Sequence, residues 1–415
     1  MISAKAEKQQ GVALLAAMIL VLAVTMILAN IFYRHQIEVS QAMASLHSDQ
    51  ALLIALSGEG WAMELLAEDP KGGQPNQSDH YGEIWAQALP LLPVEGGTLT
   101  GCISDLQSKI NINNFRFYGT QGQGSKRSLQ ADLNQLENMN IVKTWLNLLN
   151  LFEVPTSPAR AATIIDWVDG DSAVTSSWGA EQPDYEGFEP PRMVLNDEIS
   201  DASELADIAG YNVQEVQMLL PWISALPVTG PQNSGPMVNT PININTASNE
   251  LLLALGGSFG QQFVDAVVEG RPFSDIDTFE DHVENYLGLV VIDSKGKAIE
   301  KAKQIWPQDL VSVATAHFKL YLKAEIGEAE IEVTSIMKRS GNWPSFKLDV
   351  IAREITVVPS VVPSKTDLSE IEKMLAAKDK ENALDQQIDI ERNIVQPACM
   401  MMEICLLYTS PSPRD

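Results

Sequence analysis

In GVALLAAMILVLAVTMILANIFYR, residues Gly11–Arg34, no charged side chain occurs between Val12 and Tyr33. Wound as a helix at ~1.5 Å per residue, that run is about 30 Å long, the thickness of a bilayer's hydrocarbon core. Thr25 and Asn30 are its clearly polar residues. Residues 12–33 therefore predict a single transmembrane helix.

The flanks add direction. Residues 1–11 form a short polar leader with Lys5, Lys8 and Glu7, and Gly11 abuts the apolar run. A secretory signal has its small-residue cleavage site after a shorter apolar run, so the order here is reversed. The junction resembles a prepilin class III signal: cleavage between Gly11 and Val12 by a prepilin peptidase would leave a chain beginning with its own membrane helix. N-methylation of Val12 would follow. A plain uncut anchor is the alternative. Prepilin-like proteins in the body of a filament usually carry a glutamate at the fifth mature position, paired with a neighbour's amine. An unpaired charge in that setting is costly. Here the fifth position is Ala16, which is without penalty where no subunit sits above, at the tip.

The net charge of the 415-residue chain is −26. Such a balance argues against binding a phosphate backbone, which needs clustered Lys and Arg. It suits an extracytoplasmic domain and cation binding. Lys5 and Lys8 place the leader in the cytoplasm by the positive-inside rule, although Arg34 lies on the other flank. The three cysteines, Cys102, Cys399 and Cys405, show no readable disulfide framework.

Apolar residues recur at Ile37, Ala42, Leu46, Leu53, Ala55, Trp61, Met63 and Leu65. That spacing continues the membrane helix to about Leu66 as an amphipathic helix. A polar break spans Asp69–Ser78. GTLTGCISDLQSKININ, 97–113, alternates as a hairpin or paired strands. A helix-rich region follows from Leu129 to about Trp306, with loops at 153–158 and 228–241. It contains an echo: KININNF at 109–115 and PININTA at 241–247. Each precedes a Leu-rich helix (145–152 and 250–255) and a second helix (161–167 and 263–268).

The second copy resembles a helix-hairpin-helix or SAM-like unit. Asn245 or Thr246 would cap its first helix, and Gly256, Gly257 and Gly260 would make the hairpin. Arg271 is the one base between Pro241 and Glu280, among five acids. The unit therefore reads as a packing module without nucleic acid; a DNA receptor is the rival reading.

Between the copies lies DWVDGDSAVTSSWGAEQPDYEGFEPPRMVLND, 166–197. From Arg160 to Gly210 there are twelve acids against two arginines. Calcium takes ~6–8 oxygens from carboxylates, carbonyls and water, and Asp169, Asp171, Glu181, Asp184 and Asn196 are the candidate ligands. The spacing is not that of an EF-hand. A solvated acidic loop and a carboxylate-pair hydrolase are the alternatives; the histidines are scattered, which disfavours catalysis. Ser203–Leu226 reads as a further helical pair.

The last ordered part is β. Residues 309–325 and 329–338 alternate around a turn at 326–328, and 345–352 makes a third strand. With the strands near residue 100 they form one antiparallel sheet on the long helix. Past 358 a charged helix is expected at 368–390. The ending LLYTSPSPRD resembles translated adapter sequence and is set aside with Cys399 and Cys405.

Taken together, the Gly11–Val12 junction, Ala16, the doubled INxN, the DWVDGD…GAEQPDY…PP block, PININTAS and the closing sheet resemble the K-type minor pseudopilins of type II secretion systems, over roughly residues 10–352. The resemblance implies an α+β, pilin-like fold: a long N-terminal helix on an antiparallel sheet, with a large all-α insertion holding calcium. The boundaries expected are 34–115 for the helix and first strands, 116–306 for the insertion, 307–357 for the closing strands and 358–415 for an extension. It also implies a non-enzymatic, single-pass subunit of the bacterial inner membrane with a periplasmic globular part. Its partners would be the I- and J-type minor pseudopilins, the inner-membrane assembly platform and prepilin peptidase. A type IV pilus minor pilin is the nearer alternative.

Overall fold

The computed structural model describes residues 7–68, 78–87, 89–118, 139–228, 239–292, 298–301, 306–341 and 346–358; in the first helix, side chains are described from Leu14. The first six leader residues, 69–77 of the polar break, the start of the expected helical region at 129–138, the expected helix at 368–390, Cys399 and Cys405 lie outside these residues.

Helix α1, Glu7–Glu68, is continuous. Residues 14–46 are all exposed, a free rod of roughly 50 Å at ~1.5 Å per residue. The remainder sits on a five-stranded antiparallel sheet, β1 (Leu89–Val94), β2 (Gly97–Asp105), β9 (His317–Ile326), β10 (Ala329–Ser340) and β11 (Lys347–Val358), in that spatial order. The face α1 lays on the sheet is only partly the expected one: Ala55, Met63 and Leu65 pack on it, but the largest expected side chains do not. Leu53 is 65% exposed and Trp61 48%, while Ala51, Ala55, Gly58, Ala62 and Leu66 are buried. The sheet supplies the bulk through Leu99, Ile103, Leu320, Leu322 and Val333, so the helix must supply small residues to come close. A Cβ on Gly58 would stand 3.1 Å from Leu99 Cδ2 and 3.2 Å from Leu322 Cδ1. One buried charge faces the sheet: Glu59 accepts from Ser335 Oγ at 2.5 Å and Arg353 Nε at 2.8 Å, tying β10 and the edge strand β11 to the helix.

The expected pairing within 97–113 is corrected. Alternation stops at Asp105, and the hairpin partner of β2 is β1, which precedes it across Glu95–Gly96. The prolines at 90 and 93 hide β1 from a pattern search, because proline is tolerated only at a sheet edge, where β1 lies. β9 and β10 form the expected hairpin, but Ile326 belongs to the strand and lies opposite Ala329, so the turn is tighter than 326–328, and β9 starts at His317 rather than at 309. Cys102 on β2 is buried.

The described residues between β2 and β9 form a second unit with its own core, built on Phe115, Trp145, Tyr185, Phe263 and Phe279 among others. Its main helices are α2 (Asn140–Leu151), α3 (Pro158–Val168), α4 (Gln182–Tyr185), α5 (Val213–Leu219), α6 (Asn249–Gly256), α7 (Gln261–Gly270) and α8 (Ile276–Tyr286). The end of the expected helical pair at 203–226 is instead a strand: β4 (Ile223–Ser224) runs parallel to β3 (Ile110–Asn111), and β5 (Ile242–Asn243) runs parallel to β8 (Val311–Ser312). A further two-stranded piece joins β6 (Val290–Ile292) to β7 (Ala298–Lys301).

The sequence echo is thus a structural repeat. In the first copy Asn113 Oδ1 accepts from Ile199 N at 2.9 Å and its Nδ2 donates to Ile199 O at 3.0 Å. In the second, Asn245 does the same to Phe273, at 2.9 Å both ways. Only a side chain with a donor and an acceptor side by side can satisfy both groups of a buried peptide. The expected cap at Asn245 or Thr246 is therefore corrected: those side chains are spent in the turn, and Ser248 Oγ caps α6 by accepting from Leu251 N. The hairpin glycines are as read, with Gly257 and Gly260 at φ +52° and +49°.

The two units are joined by a buried polar network. Arg339, at the end of β10, donates to both Asp79 oxygens and to Thr315 O, and lies 5.0 Å from the ring centre of Phe318. Asp79 also accepts from Thr315 N at 2.7 Å. Asp105 accepts from Gln107 N, Asn243 Nδ2 and Thr246 Oγ1. Burial pushes Asp105 up to about 6, and the charge of Asp79 adds to it. Burial holds His317, beside Gln107, down to about 4.

Candidate functional site

The acid cluster begins at the C-terminal end of α3. Asp166 lies in its last turn and Asp169 is the C-cap, where the helix dipole already places partial negative charge. Two carboxylates are unfavourable there without a cation. Asp166 Oδ1 accepts from Thr175 N at 2.8 Å, and Asp171 Oδ1 from Ala173 N at 2.8 Å, which curls the following loop back over the helix end. Glu181 opens the short α4. One oxygen from each of Asp169, Asp171 and Glu181 lies within 4.8 Å of the others.

Of the five expected ligands, these three are brought together. Asp184 is exposed, and its Oδ2 accepts from Glu181 N at 3.0 Å, so it shapes the α4 start. Asn196 is left-handed at φ +48°, and its Nδ2 donates to Ser172 Oγ at 3.3 Å, which draws the 193–197 loop onto the first one. Its Oδ1 is buried without a hydrogen-bond partner. Asp166 was not among the expected ligands, yet it is fully buried and charge-coupled to Asp169 and Glu181. Its spacing of three before Asp169 on a helix was the available signal. Gly179 makes room for it: a Cβ there would lie 1.8 Å from Asp166 Oδ2.

The donor set fits a hard cation. Asp166 Oδ2 and Asp169 Oδ2 are buried without hydrogen-bond partners, and the Glu181 carboxylate is buried beside them. Burial pushes Asp169 and Glu181 up to about 7 and Asp166 to about 6, with mutual repulsion adding to each. The segment's two arginines do not neutralise them. Arg160 pairs with Glu215 and lies over Tyr211; Arg192 donates to Asp207 O at 2.7 Å and lies over Phe188. Carboxylate oxygens alone select calcium- or magnesium-like ions over softer metals.

The hairpin unit is built for packing. Arg271, its one base, is half-buried and donates to Ala247 O at 2.8 Å, and burial holds it down to about 10.

Residues 108–228 match the family model of type II secretion system (T2SS) protein K. That match spans both loops of the acid cluster. A type II secretion system protein K of Aeromonas hydrophila is 32% identical over 255 residues, 60% of this chain and 71% of the relative. This chain belongs to the type II secretion system protein K family. Protein K of Pseudomonas aeruginosa is 28% identical over 366 residues, covering 86% of this chain and 96% of its own length. The solved GspK-GspI-GspJ complex of the enterotoxigenic Escherichia coli type 2 secretion system contains a chain of the same fold. Its TM-score is 0.57 at 22% identity, over 76% of this chain and 99% of that one. As a protein K, the chain is a minor pseudopilin of type II secretion, and the type IV pilus alternative is not favoured.

Proposed function

We propose that this minor pseudopilin caps the pseudopilus. The carrying observation is α1: one unbroken helix whose apolar first half is wholly exposed and whose last third is seated on the sheet by Ala and Gly. Such a helix can anchor in a bilayer and then, once withdrawn, offer its outward Leu53 and Trp61 to neighbouring subunit helices. Ala16 supplies no buried acid for a subunit above. The insertion makes the globular part too bulky for the body of a helical stack, and the tip is where that bulk is tolerated.

The sequence of events is insertion into the inner membrane, removal of residues 1–11 by prepilin peptidase, N-methylation of Val12 and extraction through the assembly platform. The globular part is periplasmic. I- and J-type minor pseudopilins are its partners, by analogy with the solved complex. Asp169, Asp171 and Glu181, with Asp166 behind them and Asn196 beside them, hold a calcium ion that fixes the loops. The subunit has a structural role and no catalytic step.

The N-terminus tests the first step. Mass spectrometry of the chain from cells containing prepilin peptidase will show a protein starting at Val12 with one added methyl group. Cells without the peptidase will show the full leader. An intact leader in both strains overturns the pseudopilin reading.

A further inference from the structure

Four large apolar side chains stand in water on the loops that carry the acid cluster. Met193 is 83% exposed, Trp178 51%, Leu195 47% and Val174 38%. The loops are contiguous through Asn196 and Ser172. The second is held extended by Gln182, whose Nε2 donates to Arg192 O at 3.2 Å while its Oε1 accepts from Val194 N at 3.0 Å. Val194 is buried between exposed Met193 and Leu195, so those two share one outward face. Glu186, Glu189, Asp201 and Asp207 are exposed on the same segment, and both arginines are occupied as described above.

Surface apolar residues scattered singly carry no message, but a rimmed group does. The exposed charges of this segment are anionic, so an anionic lipid surface or a nucleic acid is repelled. Charge complementarity leaves a protein segment that carries Lys or Arg beside apolar anchors. Trp is over-represented among residues that dominate binding energy, and Met adapts to the shape of its partner. We propose that the outer face of the loops at 171–196 docks a cationic, apolar segment of another protein, with Trp178 and Met193 as its main contacts. The shape of this surface rests on the calcium reading, because the loops hang from the same acids; its composition does not.

The test uses the full chain in phosphatidylcholine nanodiscs, with empty discs as blank. The probe is a fluorescein-labelled peptide of alternating Lys and Leu with one Trp, and its Glu-for-Lys twin is the control. Anisotropy will show the Lys peptide binding and the Glu peptide not. The double variant W178S/M193S will weaken binding at least ~10-fold, about 1.4 kcal/mol, with an unchanged melting temperature. V213S/M218S, which removes exposed apolar groups on α5, will leave it unaltered. No binding, or equal binding by W178S/M193S and the parent, overturns the proposal and reduces the attraction to bulk charge. If calcium fails to raise the melting temperature while W178S/M193S still loses the peptide, the calcium reading fails and the docking surface stands. If calcium stabilises both proteins equally and both bind alike, the reverse holds.

Discussion

Calcium added to the chelated full-length protein in detergent at pH 7.5 will raise its melting temperature by about 5–11 °C. The figure follows from an ion at about a hundred times its dissociation constant, worth about 2.7 kcal/mol, in an inserted unit where each kcal/mol moves the midpoint by about 2–4 °C. The pH dependence is the sharper part. Burial raises Asp169 and Glu181 to about 7 and Asp166 to about 6, above their ordinary 3.8 and 4.5. A carboxyl raised in the fold binds protons there that the unfolded chain has released. These three groups therefore cost the metal-free fold nothing below about pH 4 and an increasing amount as pH rises to about 7. Calcium needs the same groups ionised, so its binding strengthens over that interval. The gap between calcium and chelator will be near zero at pH 5 and full at pH 7.5. D169N/D171N will abolish it. A gap that is absent, or the same at both pH values, contradicts a carboxylate-bound ion.

Arg339→Leu will destabilise the chain by about 3–5 kcal/mol, the usual cost of leaving a buried charge without its partner. Asp79 would keep the amide of Thr315 but lose the guanidinium that touches both its oxygens. Its charge also acts on Asp105, which is itself buried. Thr315 O loses a donor in the same step. Asp79→Asn combined with Arg339→Leu will restore most of the loss by removing the stranded charge. Thermal melts of the three variants read this directly. A loss below ~1 kcal/mol for Arg339→Leu would show that the network does not hold the two units together.

Much of this was legible in the residues. The uncharged run from Val12 to Tyr33 dictates α1 because nothing else buries such a stretch, and strict alternation at 317–326 and 329–338 dictates the central hairpin. The doubled INxN marked a true repeat, since the second Asn of each copy closes a peptide group of a distant loop. What stayed hidden depends on facing surfaces. The spacing of Leu53 and Trp61 is helical, yet only the bulk of Leu99 and Leu322 on the sheet turns the Ala–Gly stripe inward and those two outward. Three of the five expected metal-site residues converge, because Asp169, Asp171 and Glu181 are set by one helix end and one curled loop. Asp184 lies outside that trio because a carboxylate at the start of a helix serves the backbone amides as readily as a metal. Asp166 was passed over because its position in the last turn of α3 shows its direction only once Gly179 is placed against it.

The position of the subunit in a filament tests the tip assignment most directly. Filaments assembled from the full set of pseudopilins, with a gold-labelled epitope on this chain, will carry label at one end only. Label repeated along the filament length would show that Ala16 and the bulky insertion are tolerated in the body, and the tip role would fall.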